Sequence, residues 1–252
     1  MNSLKLIFIE NASFLSYVYT IKVTITDEVN LNKGNNIIEL AEVSLIGAAG
    51  KKVFDGLNLS LSYGKSAVIQ GPTGAGKTSF VELIVGAKKP AAGTVLVFGK
   101  NIYDKGGQNL TQIRRKTGGV GGIFQPIAYQ TVFENMSYPL ILRGDRSGKR
   151  KSRVMEVLGQ LNLLGKKNEI AFNLSRGEEI LLMLGRAIVA DQPLILIDEP
   201  LSGLDLDMAQ VVSEKLKRLA VAGHSLIILT SGQTGFRLPG AEEYSISYGK
   251  LI

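Results

Sequence analysis

One octapeptide limits what this 252-residue chain can fold into: Gly71-Pro72-Thr73-Gly74-Ala75-Gly76-Lys77-Thr78. Its spacing is G-x-x-x-x-G-K-[ST]. The apolar run Ala67-Val68-Ile69 before it reads as a buried strand, and Ser79 to Val85 after it reads as an amphipathic helix ending at Gly86. Glycines let such a strand-to-helix turn close tightly and aim its backbone N–H groups at an anion. The N-terminal end of the helix adds partial positive charge. Lys77 can reach the β- and γ-phosphates of a nucleotide, and the Thr78 hydroxyl can ligate Mg²⁺. The expected phosphate-binding stretch is thus the octapeptide together with Ser79.

A second anchor lies far downstream. Pro193-Leu194-Ile195-Leu196-Ile197 is the continuous apolar run of a strand buried on both faces of a parallel sheet, and it ends in Asp198-Glu199-Pro200. A carboxylate at the C-terminal tip of such a strand stands where an α/β sheet binds its ligands. Asp198 is the natural second Mg²⁺ partner, acting through water, and Glu199 the general base for an attacking water.

The segments between alternate in type. Residues 1–36 read as an extra strand, a loose extension or a leader upstream of the natural start, with a strand-like alternation from Val18 to Thr26. Ile38, Leu40, Glu42 and Ser44 against Glu39, Ala41, Val43 and Leu45 predict a half-buried strand, Gly47 to Gly50 a turn, and Leu57 to Leu61 another alternating strand. Thr94 to Phe98 is the next strand. Gly118 to Gly122 is glycine-dense and runs into Ile123-Phe124-Gln125-Pro126. Beyond Pro126 the period turns helical: Val154, Val157, Leu158 and Leu161 form one apolar face. Asn173 or Ser175 can cap a helix running through Arg186 to Ala190. A helix from about Asp207 to Ala220, a buried strand Ser225 to Thr230 and an alternating strand Glu243 to Tyr248 complete the chain. The expected fold is an α/β P-loop NTPase core (RecA-like) with an antiparallel β subdomain and an inserted α-helical subdomain at about 125–190, all within 37–252.

Composition narrows the setting. The chain has no cysteine, so neither disulfides nor thiolate metal sites arise. No apolar run approaches the ~18 residues of a membrane-crossing helix. Lys5 and Glu10 interrupt the apolar start, and no signal peptide is read. Much of the net charge of +7 falls in Arg143, Arg146, Lys149, Arg150, Lys151 and Arg153. Such a run serves first as a solvated face and next as a face toward an anionic membrane; no nucleic-acid partner is expected.

Taken together and in order, these motifs resemble the nucleotide-binding subunits of ABC (ATP-binding cassette) ATPases, from about Ile37 to Ile252. Gly71 to Thr78 is similar to the Walker A loop, and Leu194 to Asp198 followed by Glu199 to Walker B. Gln125 in Ile-Phe-Gln-Pro resembles the Q-loop glutamine, which in the family touches Mg²⁺ and the attacking water. Thr131 to Asn135 resembles the segment that faces a transmembrane subunit. Leu174-Ser175-Arg176-Gly177-Glu178 is similar to the signature motif, and Ser202-Gly203-Leu204-Asp205 to the D-loop. Pro139-Leu140-Ile141-Leu142 and the Glu178 ending look most like the cell-division ATPase FtsE and the lipoprotein- and macrolide-exporting relatives.

The resemblance implies an ATPase that binds ATP and Mg²⁺. It implies a homodimer or heterodimer of cassettes in which Ser175 and Gly177 of one cover the nucleotide of the other. It also implies a transmembrane permease-like partner and a cytoplasmic location, peripheral on the inner face of the cell membrane. Three departures bear on activity. The adenine-stacking aromatic of the family falls on Gly47, the first signature glycine is Arg176, and Ser231 stands where the switch histidine would be. Turnover by the isolated subunit is therefore expected to be slow; the alternative is a nucleotide-gated scaffold in cell division. The one histidine, His224, reads as a surface turn residue.

Overall fold

The computed structural model describes residues 35–47, 50–104, 107–232 and 235–252. The alternating stretch from Val18 to Thr26 lies outside the described residues.

The described residues form two sheets. In the first, β1 (Asn36–Ile46), β2 (Lys52–Ser62), β4 (Ala92–Val97) and β5 (Lys100–Asn101) pair antiparallel in the order β2-β1-β4-β5. The second has the order β10-β9-β3-β8-β7-β6. Its strands β3 (Ala67–Gln70), β6 (Thr117–Val120), β7 (Leu194–Asp198), β8 (Ser225–Thr230) and β9 (Glu242–Ser247) run parallel, with β10 (Lys250–Leu251) folded back on β9. Every residue of β7 and β8 is buried, as the apolar runs Leu194 to Ile197 and Leu226 to Leu229 require, and the burial extends to the polar ends Asp198, Ser225 and Thr230. Alternate residues serve opposite faces. Val68, Val120, Ile195, Ile197, Leu226 and Ile228 pack toward the helical layer. Ala67, Ile69, Leu194, Leu196, Ile227 and Leu229 pack with the antiparallel sheet.

Among the described residues six α-helices complete the fold: α1 (Lys77–Ile84), α2 (Gln108–Lys116), α3 (Val132–Arg143), α4 (Ser147–Gln160), α5 (Arg176–Ile188) and α6 (Leu206–Val221). Their starts follow from local chemistry. Thr131 with Glu134, and Ser175 with Glu178, form reciprocal capping boxes at α3 and α5. Ser175 therefore caps α5, and Asn173 does not. Asp205 caps α6 by accepting from the Met208 N–H at 2.8 Å.

Three features depart from the sequence reading. The alternation of β1 changes phase: Ile38 and Leu40 are buried, then Val43 and Leu45, leaving Glu42 exposed. The pairing register shifts between Leu40 and Val43, where Glu42 takes φ +50°, so a bulge inserts one residue and flips the face. The glycine-dense stretch contains strand β6. A Cβ on Gly118 would lie 2.6 Å from the Ala187 Cβ, and one on Gly119 would lie 2.2 Å from the Phe124 ring. Helix α5 and Phe124 thus approach the strand closely enough to demand glycine where propensity disfavours it. Finally, His224 is not a surface residue: it is 1% exposed, with Nδ1 2.9 Å from the Gln192 carbonyl oxygen. The turn between α6 and β8 tucks it beneath the segment that leads into β7.

Candidate nucleotide site

The loop after β3 is fastened at its root, where the Gly71 N–H donates to the Thr230 carbonyl at the end of β8 (3.0 Å). Gly74 and Gly76 take φ +83° and +103°, conformations nearly closed to other residues. A Cβ on Gly76 would also meet Val53 Cγ1 at 2.8 Å and Phe54 Cζ at 3.0 Å. Strand β2 of the antiparallel sheet therefore rests directly on this loop.

Lys77 is 7% exposed. Its Nζ donates to the Gly71 and Pro72 carbonyls at 2.7 and 3.1 Å and lies 3.2 Å from Glu199 Oε1. Thr78 Oγ1 donates to Asp198 Oδ2 at 3.0 Å. Burial pushes the Asp198 carboxyl above its ordinary range, opposed by the Thr78 hydrogen bond. Its neighbours crowd it closely: a Cβ on Gly121 would lie 2.2 Å from the Asp198 carbonyl oxygen, and one on Gly122 2.4 Å from Oδ2. A buried carboxylate beside a threonine hydroxyl suits a hard dication that also takes phosphate oxygens, so the residues present fit Mg²⁺. Glu199 has φ +51°, and its N–H donates to the Leu229 carbonyl at 2.9 Å. This strained turn carries the strand end back across the loop and holds the Glu199 carboxylate opposite Lys77. Ser231 follows Thr230 and so leaves β8 beside the root of the phosphate loop.

The structure thus brings Lys77, Thr78, Asp198 and Glu199 together. Among the described residues no hydrogen bond or ion pair joins the side chains of Gln125 or Ser175, or Gly177, to these four. Gln125 is exposed, with Nε2 donating to the Gly122 carbonyl at 2.8 Å. Ser175 is engaged in its capping box, where the Ser175 backbone N–H, above all, holds Glu178 below the usual carboxylate range. Arg176 pairs with Glu179 on its own helix at 2.7 Å. Gly177 is buried against α6; a Cβ there would meet Met208 Cγ at 2.4 Å. Among the described residues no hydrogen bond or ion pair links 174–178 to the phosphate loop.

Several contributors escaped the sequence reading. Asn135 is fully buried; its amide donates to the Ile127 and Thr131 carbonyls at 3.0 and 3.1 Å and accepts from the Ile127 N–H at 2.8 Å. Arg186 donates to the Gln125 carbonyl at 2.9 Å, and burial lowers its proton affinity. Together they brace the segment from Gln125 to Thr131 against α3 and α5. A polar residue on an otherwise apolar helical face was the available signal for each. Val53 is a further contributor. It packs on Gly76, and a Cβ on Gly47 would lie 2.8 Å from its Cγ2. An aliphatic side chain thus stands between the Gly47 turn and the loop. Near the braced segment, Tyr129 and Phe172 stack at 6.1 Å and 16° while 81% and 68% exposed.

Comparison with known proteins agrees with this geometry. The family profile described as ABC transporter matches residues 54–202. The cell division ATP-binding protein FtsE of Bacillus subtilis (strain 168) is 30% identical over 194 residues, covering 77% of this chain and 85% of that protein. The macrolide export ATP-binding/permease protein MacB of Nitrosomonas europaea is 31% identical over 201 residues, covering 77% of this chain and 30% of that one. Among solved structures, a dimeric post-hydrolysis state of the ATP-binding cassette MJ0796 bound to ADP and Pi superimposes with a TM-score of 0.77. It is 29% identical and covers 85% of this chain and 96% of that one.

Proposed function

The chain belongs to the ABC transporter family of ATP-binding cassettes, an ATPase family, and from that premise we propose how its residues share the work. Lys77 and the loop N–H groups hold the β- and γ-phosphates. Thr78 and Asp198, joined by Gln125, hold Mg²⁺, which when bound offsets phosphate charge. Glu199 takes the proton of the attacking water, and Ser231 offers one hydroxyl where a histidine would offer a ring nitrogen. The observation that carries this reading is the meeting of Lys77, Thr78, Asp198 and Glu199 within hydrogen-bonding distance at the strand tips.

One cassette is not the whole site. Ser175 and the N-terminal turn of α5 form no bond to the phosphate loop of their own chain, and a second cassette, identical or homologous, supplies them head to tail, a reading supported by the dimeric MJ0796 structure. The permease-like membrane partner docks at the Gln125 end of the groove that runs from Gln125 to Leu142, within the helical subdomain of about 125–190. The exposed Tyr129 and Phe172 pair supplies the apolar anchor there. The MacB relative, an ATP-binding/permease protein, supports such a coupling. Among the described residues no helix is long and apolar enough to cross a membrane, and the proposed place is the inner face, held by the partner.

Steady-state phosphate release tests the reading. The wild type turns over slowly, and Ser231→His speeds it by as much as the ~10²–10³ that one transition-state hydrogen bond confers. Ordinary turnover that Ser231→His leaves unchanged would refute the role of Ser231. ATP binding with no release, in wild type and Ser231→His alike, would point to a nucleotide-gated scaffold.

A further inference from the structure

The ends of α2, α3 and α5 and the start of α4 converge on one corner at the N-terminal edge of the parallel strands, away from the nucleotide site. Two observations place them there. Thr117, directly after α2, pairs with Leu194 at the start of β7. Arg143, at the end of α3, donates to the Ala190 carbonyl just before β7 (3.1 Å). Between Arg143 and Arg153 the sequence holds six cations and one acid.

These cations divide into two sets. Arg143, Arg150 and Arg153 are structural. Arg143 pairs with Asp145 at 2.7 Å and Asp191 at 3.4 Å, Arg150 donates to the Asp145 carbonyl at 2.7 Å, and Arg153 pairs with Asp191 at 2.7 Å. They consume the local acids. Arg146, Lys149 and Lys151 are exposed, and among the described residues their charged side-chain groups form no hydrogen bond or salt bridge, although, after the Arg143 hydrogen bond, the Lys149 charge helps to hold the Asp145 carboxyl below its ordinary range. Arg115 and Lys116, at the end of α2, are exposed in the same corner. Immediately before this cluster, Ile141 and Leu142 stand 47% and 60% exposed on the last turn of α3.

We propose that this corner is a contact for an anionic phospholipid surface, with Arg146, Lys149 and Lys151 at the headgroups and Ile141 and Leu142 at the acyl boundary. Charge complementarity argues for the occupant. A local excess of free cations gains roughly fivefold in binding per cation near an anionic bilayer. Exposed aliphatic side chains beside it favour lipid over nucleic acid, which would instead be served by aromatic stacking platforms. The Tyr129 and Phe172 pair lies near the N-terminal end of α3, about 18 Å along the helix from its basic end at 1.5 Å per residue. The inference rests on the proposed function only in placing the cassette at a membrane, and it concerns lipid rather than the protein partner.

The test is sedimentation of the isolated full chain with vesicles, in parallel with ATP binding. Binding is expected to phosphatidylcholine vesicles carrying about 30% phosphatidylglycerol, not to pure phosphatidylcholine, and to fall steeply between ~0.05 and ~0.3 M salt. Arg146→Gln/Lys149→Gln/Lys151→Gln should weaken it about a hundredfold. Lys51→Gln/Lys89→Gln/Lys250→Gln, which removes equal charge elsewhere, should leave it within about twofold. Ile141→Ser/Leu142→Ser reads the apolar contribution and should weaken it several-fold. Equal losses in the two triple variants, equal binding to both vesicle types, or no vesicle binding would each overturn the proposal. So would tighter binding to a single-stranded oligonucleotide than to the anionic vesicles at the same salt. If the corner triple variant does not fold, the salt dependence and the serine variant decide. ATP binding that persists when vesicle binding fails leaves the cassette function standing.

Discussion

Glu199→Gln probes the resting state and the chemistry at once. The substitution keeps the size of the side chain and removes its charge. In the resting site Lys77 Nζ lies 3.2 Å from Glu199 Oε1 and is also held by two backbone carbonyls. Unit charges at that separation interact by ~1.3 kcal/mol at the dielectric of water and ~5 kcal/mol at an effective value near 20. The Lys77 side chain is 8% exposed but that of Glu199 is 28%, so solvent screens the pair. Lys77 also keeps both carbonyls in the variant. A net ~1 kcal/mol is a reasonable contribution. An incoming phosphate must displace Glu199 from Lys77, so the variant should bind nucleotide about fivefold tighter. ADP is the right probe, because it lacks the γ-phosphate through which two cassettes would trap the ligand. Titration of a fluorescent ADP at low protein concentration reads this affinity. Phosphate release from ATP should meanwhile fall by ~10²–10⁴ as the general base is lost. ADP affinity that stays level or weakens would show that Glu199 does not restrain Lys77. Unchanged phosphate release would remove Glu199 from the base role. Lys77→Ala provides the opposite sign, with nucleotide binding weaker by at least ~2 kcal/mol.

Other consequences follow from the same contacts. Gly121→Ala places a Cβ 2.2 Å from the Asp198 carbonyl oxygen at a φ of +74°. It should lower stability by ~1–3 kcal/mol and weaken Mg²⁺-dependent nucleotide binding, whereas an unchanged urea midpoint would refute the packing. Asn135→Ala removes the side chain that closes the Gln125 to Thr131 segment. It should cost ~1–3 kcal/mol through unpaired buried backbone groups and raise hydrogen exchange in that segment selectively; uniform exchange would count against it. Burial, the largest influence, lowers the proton affinity of His224, while the Gln192 carbonyl and Asp191 oppose that and Arg153 adds to it. The unfolded chain then binds the extra proton, so this contribution to stability is lost as pH falls below the ordinary histidine value of ~6.5. Urea midpoints at several pH values should show that loss in the wild type and less of it in His224→Gln; equal slopes would refute it.

The exposed aromatic pair gives a cleaner probe of partner docking than Glu134. Glu134 accepts from the Thr131 N–H and caps α3, so reversing its charge disturbs the helix as well as its surface. Tyr129→Ser/Phe172→Ser should abolish co-purification with a membrane partner while leaving ATP binding intact. Retained co-purification would exclude that surface.

How much was legible in advance depends on whether the information is local. The phosphate loop needs glycines at positive φ followed by a lysine and a threonine, and that demand is met within eight consecutive residues. The runs Leu194 to Ile197 and Leu226 to Leu229 name buried parallel strands because burial on both faces leaves no polar position within them. The cap of α5 is likewise local, read as Asn173 or Ser175, and the structure chooses Ser175 through its box with Glu178. Tertiary structure alone decided the rest, because the deciding contacts come from distant parts of the chain. Gly118 and Gly119 form a strand because Ala187 and Phe124 occupy the space their side chains would need. The face of β1 flips at Glu42 through a bulge that only strand pairing reveals. His224 is buried because the turn before β8 folds under Gln192. Asn135 and Arg186 become site residues only when α3 and α5 meet over Gln125. The union of Lys77 with Glu199, and of Thr78 with Asp198, required β3 and β7 to lie in one sheet with β8 between them. The motifs named the groups, and the sheet order set the few ångströms that let them act together.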